Sequence, residues 1–138
     1  MSTAEVAEAL GRHKGVAEAN VYGVLVPGHE GRAGCAALHL EISPDASYFT
    51  EMLQYCRSSL PKYAVPVFLR VVKRSSHIHN HKQNKVGLRL EGVDPDLIGK
   101  HEKEGAEDKI MWLRPGADSY APFDQAEWEQ LVAGSVRL

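Results

Sequence analysis

Two prolines, Pro61 and Pro66, set the sharpest limit on how the middle of this chain can fold. Each fixes its own φ near −65° and lacks an amide hydrogen, and each pushes the residue before it toward extended backbone. On one side, Phe49, Met52, Leu53 and Cys56 recur at helical spacing, which predicts a helix over 48–60. On the other, Val67-Phe-Leu-Arg-Val-Val72 is a β-branched and aromatic run that reads as a buried strand. The prolines bracket what reads as a short extended link between the two.

Other signals extend this frame in both directions. Ser2 and Glu5 form a Ser-x-x-Glu capping pattern ahead of Val6, Ala9 and Leu10, so the chain is expected to open with a helix that weakens at Gly11 and Gly15. The stretch 16–27 reads as a strand, with alternation at Val21, Gly23 and Leu25, and 35–42 reads as a second apolar strand. The glycine-rich run Gly28-His-Glu-Gly-Arg-Ala-Gly34 joins them as a hairpin longer than the tightest type. Ser43-Pro44-Asp45 interrupts before the helix. After residue 72 come a polar stretch to His81 and a helix over about 83–91, with Val86, Leu88 and Leu90 free to pack and Gly87 costing about 1 kcal/mol relative to Ala. An acidic stretch then leads to a short apolar strand at 110–113 and a last helix running from Asp124 through Trp128 to Val132, with Asp124 and Glu127 as its cap.

The order α-β-β-α-β-α plus a tail predicts an α+β fold, a small mixed sheet with a β-hairpin and flanking helices. A length of 138 residues fits one domain, here divided into a core over about 1–94 and a C-terminal extension over 95–138. No apolar run is long enough to span a bilayer and no signal-peptide pattern opens the chain. Cys35 and Cys56 stand alone, without a CxxC pair, which suits a reducing intracellular compartment and a packing role for each.

The net charge of −2 conceals a strong segregation. Between Arg57 and Leu90 lie eight basic residues (Arg57, Lys62, Arg70, Lys73, Arg74, Lys82, Lys85, Arg89) and no acid. The remaining eight basic residues share the rest of the chain with all 18 acids. Such a segment suits a negatively charged partner, or a solvated face with no ligand.

Few constellations offer chemistry of their own. The 28–34 loop lacks the Gly-Lys-Ser/Thr ending of a phosphate loop and is followed by a strand, so no helix N-terminus stands ready for a phosphate. His77, His79 and His81 alternate and would share one face of an extended backbone. The outer pair would then lie roughly 13 Å apart, too far for one zinc ion without a curved backbone, and no nearby acid supplies outer hydrogen bonds. An exposed polar loop is the favoured reading. Nucleic-acid binding would call for interleaved aromatics, and only Tyr63 and Phe68 occur, the latter in a buried-type strand. No nucleophile triad is evident, and the residues alone outline no self-sufficient active site.

Two stretches carry a resemblance. Leu60-Pro-Lys-Tyr-Ala-Val-Pro66 and the strand behind it are similar to the LPxYxxP motif in the C-terminal domain of adenylate-forming enzymes, the superfamily of acyl-CoA synthetases, luciferases and peptide-synthetase adenylation domains. Some ten residues after the strand, His81-Lys82-Gln83-Asn84-Lys85 stands where that family places its catalytic lysine. The branch of very-long-chain fatty acyl-CoA synthetases and fatty acid transport proteins, its fungal members in particular, looks nearest. It also resembles this chain at Gly31-Arg-Ala-Gly34, Gly92-Val-Asp-Pro95 and Tyr120-Ala-Pro-Phe123. The chain departs from the family at Ile78-His79-Asn80-His81, where relatives carry small Gly and Thr residues. Lys85 is the rival to Lys82, less favoured because it falls inside the predicted helix.

The resemblance implies a two-step ligase using ATP, Mg and CoA, with none of them expected to be held by this domain alone. A carboxylic acid, here a fatty acid, would attack ATP to give an acyl-adenylate, and CoA would then displace AMP while the domain rotates between steps. Lys82 would contact the carboxylate and phosphate oxygens during adenylation. At about 4 Å and an effective dielectric near 20 the attraction is roughly 4 kcal/mol, about a thousandfold in rate. The partner is the N-terminal adenylation domain, whose hinge should end just before Met1, so the chain reads as an excised domain, soluble and inactive alone. A non-enzymatic basic module for nucleic acid or anionic lipid, and an amino-acid-activating relative, are the alternatives. The ending Val136-Arg137-Leu138 partly resembles a peroxisomal Ser-Lys-Leu signal but lacks its small first residue.

Overall fold

A computed structural model of the chain describes residues 2–26, 32–72 and 109–134. Lys82, Lys85, the histidines at 77, 79 and 81, the predicted helix at 83–91, most of the 28–34 loop, the 92–95 motif and the last three residues lie outside the described residues.

The local signals at the N-terminus set the first helix. Helix α1 spans Thr3–Gly11, and both halves of its capping box are made: the Glu5 amide donates to Ser2 Oγ at 3.2 Å and the Ser2 amide to Glu5 Oε1 at 3.4 Å. Gly15 turns the chain with φ of 80°, a conformation that strains any residue with a Cβ. Strands β1 (Val16–Leu25) and β2 (Arg32–Leu40) then pair antiparallel, with Val21 opposite Ala36 and a register shift between Val16 and Glu18. The expected hairpin is thus present.

Helix α2 runs over Ala46–Ser59, starting two residues earlier than its apolar spacing predicts. Asp45 is the reason: besides ending the strand pattern, its carboxylate accepts the Tyr48 amide at 2.8 Å and caps the helix. The helix carries the chain over one face of the sheet, so that β3 (Phe68–Val72) returns parallel to β2, with Leu69 opposite Ala36. Strand β4 (Lys109–Trp112) pairs antiparallel with β3, and the two-residue β5 (Ala121–Pro122) closes the order β1-β2-β3-β4-β5. Helix α3, Gln125–Val132, follows with Asp124 and Glu127 forming its capping box. The α+β class and the mixed sheet match the sequence expectation.

The sheet is buried on both faces. One face packs with α1 and α2 through Val6, Leu10, Phe49, Met52, Leu53, Leu38 and Leu69. The other gathers Tyr22, Val24, Cys35, Phe68, Trp112, Phe123 and Leu131, with Trp128 of α3 packed against it. Because successive strand side chains point to opposite faces, β1 has apolar residues at both parities. The alternation at Val21, Gly23 and Leu25 is therefore only part of its pattern: Val21 is buried with α1 and α2, Tyr22, Val24 and Val26 are buried on the opposite face, and Leu25 is 68% exposed.

The link between the prolines also differs from expectation. It is not extended throughout: Lys62–Ala64 form a 3-10 turn in which the Ala64 amide donates to the Pro61 carbonyl at 2.9 Å. Pro61 starts it because its φ, here −59°, already suits a turn. The residues ahead of the two prolines behave as expected: Leu60 before Pro61 and Val65 before Pro66 are both extended.

Candidate functional site

The LPxYxxP stretch begins where α2 ends. Leu60 is buried, its amide still donating to the Cys56 carbonyl at 2.8 Å, and the 3-10 turn then carries Tyr63 outward to 76% exposure with Lys62 exposed beside it. Past the turn the backbone is gripped from several sides. The Val67 amide donates to the Gly34 carbonyl of β2 at 3.0 Å, and the Leu113 amide donates to the Val67 carbonyl at 2.7 Å. The buried Tyr120 hydroxyl donates to the Pro66 carbonyl at 2.5 Å. Pro66 itself lacks a donor, so its peptide cannot join the ladder from that side. The phenol satisfies a buried carbonyl that would otherwise cost free energy.

From there β3 passes through the centre of the sheet. It ends with Val71 opposite Lys109 and Val72 opposite His39, so residues 73–108 leave and re-enter at neighbouring strands on the same end of the sheet. Lys82 belongs to that interval, ten residues beyond Val72.

The basic segment is less uniform than its composition suggests. Arg70 is 1% exposed in the middle of β3, on the face that also carries Phe68 and Val72. Burial pushes the nearby Cys35 thiol up to about 11, opposed first by its hydrogen bond with Tyr22 and then by the positive charge of Arg70. Arg57 pairs with Asp118 at 3.3 Å and donates to the Ala117 carbonyl at 3.1 Å, so it fastens α2 to the loop after β4. Two of the eight cations counted from the sequence are thus structural.

Both cysteines are buried and free, on opposite faces of the sheet. Burial pushes the Cys56 thiol up to about 11 as well, with the Tyr120 phenol beside it opposing the shift. Tyr120 is held well above its ordinary value, first by burial and then by the neighbouring Cys56 thiol, and so remains a proton donor. Among the described residues no group of three His, Cys, Asp or Glu side chains could hold a metal ion.

The sequence reading missed the Tyr120–Pro66 and Arg57–Asp118 contacts. Their partners lie more than fifty residues apart, and no spacing rule connects them. The only signal was the Tyr120-Ala-Pro-Phe123 stretch, noted for its resemblance rather than for a role.

Comparison with known proteins identifies the family. The family described as the AMP-binding enzyme C-terminal domain matches residues 5–82. This chain belongs to that family. It is 47% identical to isopenicillin N epimerase component 1 of Hapsidospora chrysogena over 99% of its length and 23% of that protein's. It is 41% identical to the very long-chain fatty acid transport protein of Cochliobolus heterostrophus, over 100% of its length and 21% of that protein's. Human long-chain fatty acid transport protein 3 is 37% identical over 100% of the chain and 19% of the protein. The chain thus spans about a fifth of the length of these curated relatives. Among solved structures, unliganded o-succinylbenzoate coenzyme A synthetase from Bacillus subtilis is 34% identical over 54% of this chain and 14% of its own, with a TM-score of 0.43.

Proposed function

We propose that the chain is the mobile C-terminal domain of an ATP-dependent fatty acyl-CoA ligase, and that Lys82 is its adenylation lysine. The observation that carries this reading is the course of the backbone. A motif link clamped between α2 and the sheet feeds β3, and the next interval holds Lys82, the residue on which the family match ends.

In the first step a substrate carboxylate oxygen attacks the α-phosphorus of ATP, forming the acyl-phosphate bond and expelling pyrophosphate. The ammonium of Lys82 offsets the negative charge that builds on the oxygens around that phosphorus. In the second step the CoA sulfur attacks the acyl carbon, its proton leaves to base, and the carbon–oxygen bond to AMP breaks. A cation on a mobile domain serves the first step and withdraws for the second, which avoids burying it permanently.

The N-terminal adenylation domain would supply the ATP site and the acyl pocket, so this domain is inactive alone. Two relatives of similar identity bear names of quite different chemistry, an epimerase component and a fatty acid transport protein, which fits an acid selected elsewhere in the protein. Residues 1–138 are read as one domain, with 95–138 as an extension of its core. A peroxisomal or membrane-associated parent fits the transport-protein relatives, and no described helix is long and apolar enough to cross a membrane.

The test is Lys82→Ala in the full-length protein. Acyl-adenylate formation, followed by pyrophosphate exchange, should fall about a thousandfold, while thioester formation from supplied acyl-adenylate persists. Equal loss in both halves would overturn the role. The alternative of a basic binding module is disfavoured by the burial of Arg70 and the pairing of Arg57. It would be revived by nucleic-acid or anionic-lipid binding that collapses with added salt.

A further inference from the structure

Residues 109–134 lie beyond the stretch matched by the family, yet they supply two of the five strands and cover the second face of the sheet. Their deepest polar contact is with the family's own motif. Tyr120 is 3% exposed and donates to the carbonyl of Pro66, the last residue of the LPxYxxP stretch.

The loop that carries Tyr120 is itself anchored to the helix preceding that stretch. Thr50 Oγ1 donates to Ser119 Oγ at 3.0 Å, and Arg57 reaches both Ala117 and Asp118. On its other side the loop continues into β5, and the Phe123 amide donates to the Ile110 carbonyl at 2.8 Å. The chain therefore closes a circuit: α2, the motif link, β3, β4, the 113–120 loop, and back to α2. Tyr120 is the crossbar that ties the loop directly to the link.

We propose that Tyr120 is a positioning residue, whose hydroxyl latches the Pro66 carbonyl and thereby fixes where β3 begins and how it delivers the segment bearing Lys82. The link needs such a latch because Pro66 has no amide to place in the ladder, and the turn before it buries little of its own. The neighbouring bonds, Val67 to Gly34 and Leu113 to Val67, both depend on the same short piece of backbone staying in place. Burial keeps the phenol protonated, so the latch donates at any pH at which the enzyme would work. This inference rests on the Lys82 reading for its catalytic consequence but not for the latch itself.

The test is Tyr120→Phe in the full-length protein, which removes one oxygen and keeps the ring. Hydrogen exchange followed by mass spectrometry should quicken about tenfold in peptides covering 66–69 and 111–115, as expected for a buried carbonyl that loses its donor. Peptides from α1 should be unchanged. The kcat of adenylation should fall about tenfold with KM for ATP within twofold, and thioester formation from supplied acyl-adenylate should be retained. A merely structural role would lower both half-reactions together, in proportion to folded protein. Unchanged exchange at 66–69, or faster exchange with intact adenylation, would overturn the proposal. If Tyr120→Phe does not accumulate as folded protein, Ser119→Ala, which cuts the tie to Thr50, should give the same pattern at about threefold, and no change there overturns it equally. A Lys82→Ala control that leaves adenylation intact would sink the lysine assignment alone, since the latch is judged on its own variants.

Discussion

Phe68 and Trp112 are direct partners in the β3–β4 ladder, and their rings stack with centroids 6.3 Å apart and planes 18° from parallel. Phe123 meets both edge-on, at 5.2 and 5.1 Å. Phe68 belongs to the stretch matched by the family and Trp112 does not, so this aromatic cluster joins the common domain to its added strands.

Trp112→Ala should therefore cost about 3–5 kcal/mol, the range for truncating a buried aromatic. Chemical denaturation would show a lower midpoint, and near-ultraviolet circular dichroism would lose the signal of the stacked cluster. A loss under 1 kcal/mol would mean that the added strands are not packed as described.

The thiols of Cys35 and Cys56 should resist alkylation in the folded protein at pH 8. With both held at about 11, almost none of either is thiolate at that pH, and burial excludes the reagent as well. Mass spectrometry should find both unlabelled until urea is added, then both labelled.

His13 predicts how stability depends on pH. Its imidazole packs between Tyr48 and Tyr55, centroids 5.6 and 4.7 Å away, and its Nε2 is buried without a hydrogen-bond partner among the described residues. Burial lowers its pKa from 6.5, Lys14 adds to the shift and Glu51 opposes it. The unfolded chain therefore takes up the proton at a higher pH than the folded one. Stability from this site is full above about 6.5 and is lost as pH falls toward the lower folded value. Urea midpoints should decline between pH 7 and pH 5, and His13→Gln should flatten that part of the profile.

Asp45→Ala should destabilise α2 by about 1 kcal/mol, since the Tyr48 amide loses its acceptor. Thermal denaturation would register this as a modest drop in Tm. No change would indicate that the helix start re-forms at another residue.

Much of this architecture could be read from short-range chemistry. The capping boxes at Ser2–Glu5 and Asp124–Glu127 are complete within four residues, and the hairpin and β3 declare themselves by β-branched runs. What escaped depends on partners distant in the chain. Nothing near Lys109 or Trp112 states that their strand lies beside β3, because that pairing spans 73–108. Arginine's usual exposure hid the burial of Arg70, and the alternation at Val21, Gly23 and Leu25 covers one parity of β1 whereas both parities carry buried residues. For the site, the motif at 60–66 and its neighbourhood were legible, whereas the Tyr120 contact was not. A hydroxyl meeting a carbonyl fifty-four residues away leaves no periodic trace.

The pairing of Val71 with Lys109 means that both ends of the 73–108 interval stand on neighbouring strands. Phe68 and Trp112 secure the alignment of those strands, so the frame that flanks Lys82 on either side is held from outside its own interval.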